Sequence, residues 1–208
     1  MKKRNLCLLL LSIIFIILTA LVITNNTKIF DEKIYQFIIS FRTDYLDIFF
    51  KTITKLGNTI PILVMTIIFL IILNKHQRIQ LGLSIISSVI LNQTLKNIIM
   101  RERPNVLRLI KQGGYSFPSG HAMISICFYG LLLYFVIKHL KSKKLKYLLS
   151  SILIFIIITI GLSRVYLGVH YPSDILAGYT LSSIILIILI TLTDKYFRGN
   201  KNDKDGCK

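Results

Sequence analysis

Long runs of Ile, Leu and Val recur along nearly the whole chain, and a soluble domain of this size could not cover them all. A helix that crosses a bilayer needs about 20 largely apolar residues. Six stretches approach that length: 6–24, 59–73, 81–100, 121–137, 147–163 and 174–193. With no water in the hydrocarbon region, each backbone amide must find its partner inside its own segment, which favours helices. The expected fold is therefore all-α, a polytopic membrane protein of six transmembrane helices. The second stretch is short and carries Pro61 near its start, so its boundary is the least sharply drawn.

The first run follows Lys2, Lys3 and Arg4, a charged start shared with secretory signals. It is longer than a signal's apolar core, and Leu21-Val22-Ile23-Thr24 lacks a small-x-small cleavage pattern. An uncleaved first span is expected.

The formal net charge of +17 invites a nucleic-acid interpretation, but charge has to be placed before it is interpreted. With the amino terminus inside, six spans leave fifteen of the 26 Lys and Arg residues cytoplasmic, five of them between Lys138 and Lys146. Short basic loops are retained in the cytoplasm. The surplus therefore implies both termini inside the cell membrane and affinity for anionic membrane lipids, with no nucleic-acid partner. Cys7, Cys127 and Cys207 are scattered, so neither a disulfide framework nor a zinc site is expected.

No repeat or flexible linker divides the chain, and 1–208 is taken as a single membrane-embedded domain with a polar, disordered tail from about 195. The longest loop, 25–58, carries Asp31, Glu32, Lys33, Tyr35, Phe37, Ile38 and Phe41, a pattern suited to an amphipathic helix lying on the membrane surface.

Polar residues then gather at three places. Asn92, Lys96 and Arg103 recur at near-whole helical turns, predicting one polar stripe on the third span that ends before Pro104. Such side chains are costly against lipid and generally face the bundle interior; alone, Lys96 and Arg103 could equally be snorkelling to the interface. The segment Phe117-Pro118-Ser119-Gly120-His121 leads into the fourth span. Ser119 is a natural N-cap, and a helix start of this kind attracts anions. His121 adds a group able to move protons there. The third cluster is Ser163-Arg164, His170 and Asp174, where a carboxylate could fix the tautomer of an imidazole and free its other nitrogen to attack.

Alternation of six spans brings Lys96, Arg103, Ser119, His121, Arg164, His170 and Asp174 to one face, which should be extracytoplasmic. Three fixed positive charges and a helix start suit a phosphate group, whose oxygens gather charge during transfer. A two-metal phosphatase would need a cluster of acidic and His ligands, and only Glu102 and Asp174 lie near this face outside the first loop; no metal and no cofactor are expected.

The same residues resemble the three-part signature of the type 2 phosphatidic acid phosphatase superfamily. Lys96 is followed after six residues by Arg103-Pro104, then by Pro118-Ser119-Gly120-His121, then by Ser163-Arg164, His170 and Asp174. Within it, residues 115–123 and 160–179 look most like bacterial phosphatidylglycerophosphatase B and undecaprenyl-diphosphate phosphatases. The resemblance implies an acid phosphatase/vanadium haloperoxidase-like helical bundle and a lipid phosphatase. It implies that His170 attacks phosphorus, Asp174 orients it and His121 protonates the leaving oxygen. Lys96, Arg103, Ser119, the Gly120 amide and Arg164 would hold the phosphate. The signature is shared with haloperoxidases and the glucose-6-phosphatase group, so a phosphatase of a soluble ester is one alternative. A channel or transporter for a phosphorylated solute is another. Polar groups crossing the midplane would mark it, whereas the cytoplasmic halves of the last two spans are almost wholly Ile and Leu. A non-catalytic membrane interaction protein would require degenerate motifs, and these are intact.

Overall fold

The computed structural model describes residues 2–205, with side chains through Phe197. Its regular structure is all helical, without a strand among the described residues, and a long irregular loop spans 100–119. The helices are α1 (Lys2–Ile23), α2 (Lys28–Ile39), α3 (Asp44–Ile53), α4 (Thr59–Ile72) and α5 (Lys75–Ile99), then α6 (Gly120–His139), α7 (Lys143–Tyr166) and α8 (Pro172–Asp205). A 3-10 turn, Thr54–Gly57, joins α3 to α4, and a π-helical turn, Ile126–Gly130, interrupts α6.

The central helix is α8. Helices α1, α5 and α6 pack along it, and α7 closes on α6. The main core forms where α4 to α8 meet, from Ile62, Leu81, Phe128, Leu131, Phe135, Ile160 and Leu186. Outward faces remain strongly apolar, with Ile13, Ile67, Ile86, Phe155 and Leu192 exposed. Contiguous exposed apolar surface on this scale marks a face that meets lipid. Helix α1 is the extreme case, burying only Val22.

Four helices, α1, α6, α7 and the 172–197 part of α8, are long and apolar enough to cross a membrane. A fifth candidate is the pair made by 44–57 and 59–72, bent by 50° at Asn58. The expected count of six is not met on length and composition, for two physical reasons. Helix α4 alone has only 14 residues, and α5, though 25 long, carries His76, Gln77, Arg78, Gln80, Asn92, Gln93 and Lys96. Some of those polar groups work inside the bundle, while Arg78 and Gln93 are exposed. Gln80 donates to Thr193 and Asp194, and Asp194 also receives Lys138 at 2.9 Å and Tyr134 at 3.2 Å, tying α5, α6 and α8 together.

Three local expectations are corrected. Helix α5 begins at a capping box between Asn74 and Gln77 and ends at Ile99, where Met100 turns into the left-handed region with φ 50°. It thus stops short of Pro104, and Arg103 lies in a loop instead of on the helical stripe. The 25–58 segment is mostly helical, but Asp31 on α2 points inward and is buried. The tail is not irregular from 195, because α8 continues to Asp205. Cys127 is buried and Cys7 exposed, both free; Cys207 and Lys208 lie outside the described residues.

Candidate active site

Two chain reversals at one end of the bundle present the polar residues. The first follows α7. Its last turn holds Arg164, whose carbonyl accepts from the amides of Val169 and His170, so the chain folds back before α8. Gly168 makes this possible with φ +71°, and a Cβ there would stand 2.7 Å from the carbonyl oxygen of Leu107. The second precedes α6. Asn92 of α5 donates to the carbonyl of Pro118 at 2.9 Å, and the Ser119 amide donates to the carbonyl of Asp174 at 3.1 Å. The buried Ser119 hydroxyl accepts from the Ala122 amide, the cap expected at this position.

His170 is 2% exposed and Asp174 0%. The His170 Nδ1 faces Asp174 Oδ2 at 3.3 Å, and the same oxygen accepts from the Ser116 hydroxyl at 2.7 Å and the Tyr171 amide at 2.9 Å. Asp174 Oδ1 accepts from Arg101 Nη1 at 2.6 Å. An ionised carboxylate can only accept, so Nδ1 is the protonated nitrogen and Nε2 carries the lone pair. That lone pair meets Arg103 Nη1 at 3.1 Å. Burial pushes the His170 ring down to about 4, outweighing the opposing pull of Asp174, so the ring is neutral over the ordinary pH range.

Cations surround this nitrogen. Arg103 is anchored through the carbonyls of Gly113, Gly114, Tyr115 and Val169, which leaves Nη1 as its contact with His170. Arg164, 1% exposed, donates to Thr54 Oγ1 and Gln112 Oε1, both at 2.8 Å, while its Nε is buried with no hydrogen-bond partner. A buried guanidinium donor left unpaired is unusual and suits an anionic ligand. The half-buried Lys96 lies within electrostatic reach of Arg103, Arg164 and Asp174. His121 stands at the start of α6 with Nε2 2.9 Å from Asn58 Oδ1. The seven clustered residues of the sequence therefore meet at one end of the bundle, together with the Gly120 helix start; Asn92 braces the turn before Ser119.

Several residues at the site were not anticipated. Arg101 donates to Asp174 and Ser173 through Nη1 and to Asp31 and Thr27 through Nη2, and it stacks 4.0 Å over the Tyr171 ring. Asp31 also accepts from the Ser173 amide and hydroxyl. Asn58, Gln112 and Ser116 complete the surround. One available signal was the scarcity of acids. With nine Asp and Glu in the chain, an acid such as Asp31 next to an apolar helix has a strong need of a cation.

Among the described residues no group of three or more His, Cys, Asp or Glu side chains could hold a metal ion. A cavity of about 1000 Å³ opens between α1, α2 and the 99–106 segment and reaches His170 and Tyr171. Val22, Ile23, Ile29, Ile99 and Met100 give it an apolar wall, and Lys28 and Lys33 a polar rim.

The family model of the PAP2 superfamily matches residues 77–198. The chain is 32% identical over 196 residues to phosphatidylglycerophosphatase B of Bacillus subtilis, covering 90% of this chain and 95% of that protein. It is 32% identical over 142 residues to an undecaprenyl-diphosphatase of Sulfolobus acidocaldarius, covering 64% and 62%. The crystal structure of a transmembrane PAP2-type phosphatidylglycerolphosphate phosphatase from Bacillus subtilis superposes with a TM-score of 0.82 at 31% identity, over 90% of this chain and 96% of that one.

Proposed function

This chain belongs to the PAP2 superfamily, and from that membership and its own site we propose that it is a membrane lipid phosphatase working through a phosphohistidine. The substrates are phosphomonoesters or diphosphates of membrane lipids, such as phosphatidylglycerol phosphate, undecaprenyl diphosphate or phosphatidic acid. The observation that carries the mechanism is the state of His170: buried, neutral, with Nδ1 committed to Asp174 and Nε2 turned toward Arg103.

A phosphate entering between Lys96, Arg103, Arg164 and the start of α6 competes for the Arg103 Nη1 donor and uncovers the Nε2 lone pair. His170 Nε2 then forms a bond to phosphorus as the bond to the lipid oxygen breaks, and His121 gives that oxygen its proton. The positive charge appearing on the His170 ring is balanced by Asp174. In the second half, His121 takes a proton from a water that attacks phosphorus, the P–N bond breaks and phosphate leaves. The three cations meet the charge on the equatorial oxygens throughout, the part that metal ions play in many other phosphoryl transfers.

Placement of the site outside the cytoplasm is supported by the basic loop Lys138 to Lys146, at the far end of the bundle from His170. This orientation counts α4 and α5 as spans, giving six with both termini inside. The cavity beside His170, walled by apolar residues of α1, α2 and α5, suits a substrate that stays in the bilayer.

Phosphate release by purified protein against a panel of lipid phosphates and diphosphates tests the proposal, with His170→Ala alongside. Turnover should vanish in that variant, persist with a metal chelator and be inhibited by vanadate. Activity surviving His170→Ala, or lost to chelator and restored by magnesium, contradicts the mechanism.

A further inference from the structure

The break between α3 and α4 places Asn58 beside His121 in a way that helix capping does not explain. Asn58 is the N-cap of α4, with extended backbone angles of φ -74° and ψ 155°. An Asn in that position ordinarily turns its side-chain oxygen onto a free amide of the first helical turn, which stabilises the helix start. Asn58 makes no such bond. Its Oδ1 instead lies 2.9 Å from His121 Nε2, on a residue 63 positions away.

The preceding residue supports the same contact. A Cβ on Gly57 would stand 2.7 Å from His121 Cδ2, so the backbone of the 3-10 turn lies directly against the imidazole. Gly57 and Asn58 together occupy the Cδ2–Nε2 edge of the ring. The nitrogen left for the substrate is Nδ1. Thr54, in the same turn, receives Arg164 at 2.8 Å, so one short segment touches both the proton donor and a phosphate-binding arginine.

We propose that Asn58 is a positioning residue for the proton donor: by accepting from His121 Nε2–H it aims Nδ1–H at the leaving oxygen of the substrate. This rests on the phosphatase function proposed above. With the substrate phosphate bound, its negative charge offsets the cations around His121, and in that complex the ring carries protons on both nitrogens. The Nδ1 proton passes to the lipid oxygen as its bond to phosphorus breaks, and the Nε2 proton stays on Asn58. When water attacks the phosphohistidine, Nδ1 takes a proton back and the ring returns to its starting state. A neutral amide acceptor suits this, because the ring must surrender its proton in one step and regain it in the next.

A leaving group that departs easily needs little help from an acid, so the role is visible in substrate choice. The experiment compares phosphatidic acid, with an alkyl leaving group, and p-nitrophenyl phosphate, with a stable phenolate, in wild type, Asn58→Leu and Asn58→Asp. General acid catalysis is worth roughly 100-fold or more. Asn58→Leu, which keeps the shape and loses the acceptor, should lower kcat/KM, which reports departure of the leaving group and not the later hydrolysis of the phosphohistidine, by ~100-fold for phosphatidic acid and by under ~5-fold for the aryl ester. Asn58→Asp, which keeps an acceptor, should recover most of the loss on phosphatidic acid. A partly misfolded preparation lowers both substrates equally, so the ratio remains informative. Equal losses on the two substrates, or an Asn58→Asp variant no faster than Asn58→Leu on phosphatidic acid, overturn the assignment. Wild-type protein that releases phosphate from neither substrate contradicts the phosphatase itself, which is a separate outcome.

Discussion

Arg101 and Asp174 form an ion pair at 2.6 Å on the side of the carboxylate away from His170, and the other end of the same guanidinium holds Asp31 at 2.8 Å. One arginine thus joins α2, the loop after α5 and the start of α8. Both carboxylates are buried, at 2% and 0% exposure of their side chains. Removing one partner of a buried pair leaves a charge uncompensated, at a cost of about 3–5 kcal/mol. Arg101→Met should lower the unfolding midpoint in detergent sharply and reduce turnover with it. Adding Asp31→Asn should restore part of the stability, because one of the stranded charges is gone. A midpoint unchanged in Arg101→Met contradicts the bracing role.

The protonation of His170 gives a pH prediction. The attacking form is the neutral ring, and burial holds its titration down at about 4 instead of the ordinary 6.5. As pH falls from 7 to 5 the nucleophile should remain neutral, so this group contributes no loss in kcat/KM over that range. The loss begins only as pH approaches 4. The pH profile of kcat/KM reports the free enzyme and is the measurement to make. An acid limb near 6.5 that is assigned to His170 by NMR titration of the ring contradicts this environment.

Much of this arrangement is legible in the sequence. The apolar runs mark α1, α4, α6, α7 and the long α8, and the alternation expected of six spans puts the loops of the three polar clusters on one side. What the sequence hid was non-local or depended on one backbone angle. The left-handed turn at Met100 takes Arg103 off the α5 stripe, and no periodicity reports a single φ. Asp31 matched an amphipathic surface helix until its partner was known, and Ser173 lies 142 residues away. Asn58 at a helix start has an ordinary capping explanation, which only the position of His121 displaces.

The contact between Gly57 and His121 makes a steric prediction independent of charge. Gly57→Ala would place a methyl 2.7 Å from His121 Cδ2 and 3.1 Å from Ile160 Cγ2, closer than packed carbons approach. Either the imidazole moves or the 3-10 turn does. Overpacking typically destabilises by about 1–3 kcal/mol. A catalytic group displaced by about 1 Å loses on the order of 100-fold in rate. Turnover should therefore fall far more than the unfolding midpoint suggests. Near wild-type kcat in Gly57→Ala contradicts the described fit of the ring.

The cavity beside His170 separates lipid from water-soluble substrates. Ile23 sits at the end of α1, where its side chain helps to wall the space together with Ile99 and Met100. Replacing it with Trp fills part of the route without touching His170, His121 or the cations. Trp is also well tolerated where a span meets the headgroup layer, so insertion of α1 should be preserved. If the lipid chain or its glycerol passes here, Ile23→Trp should raise KM for a long-chain lipid phosphate by ~10-fold, in the range of a misfitted apolar contact. The same variant should hydrolyse a short water-soluble phosphate ester as the wild type does, because that substrate needs only the anion site. Assay of both substrates in one detergent gives the comparison. Equal KM values in wild type and variant for the long-chain lipid mean that the lipid reaches His170 by another side of the bundle.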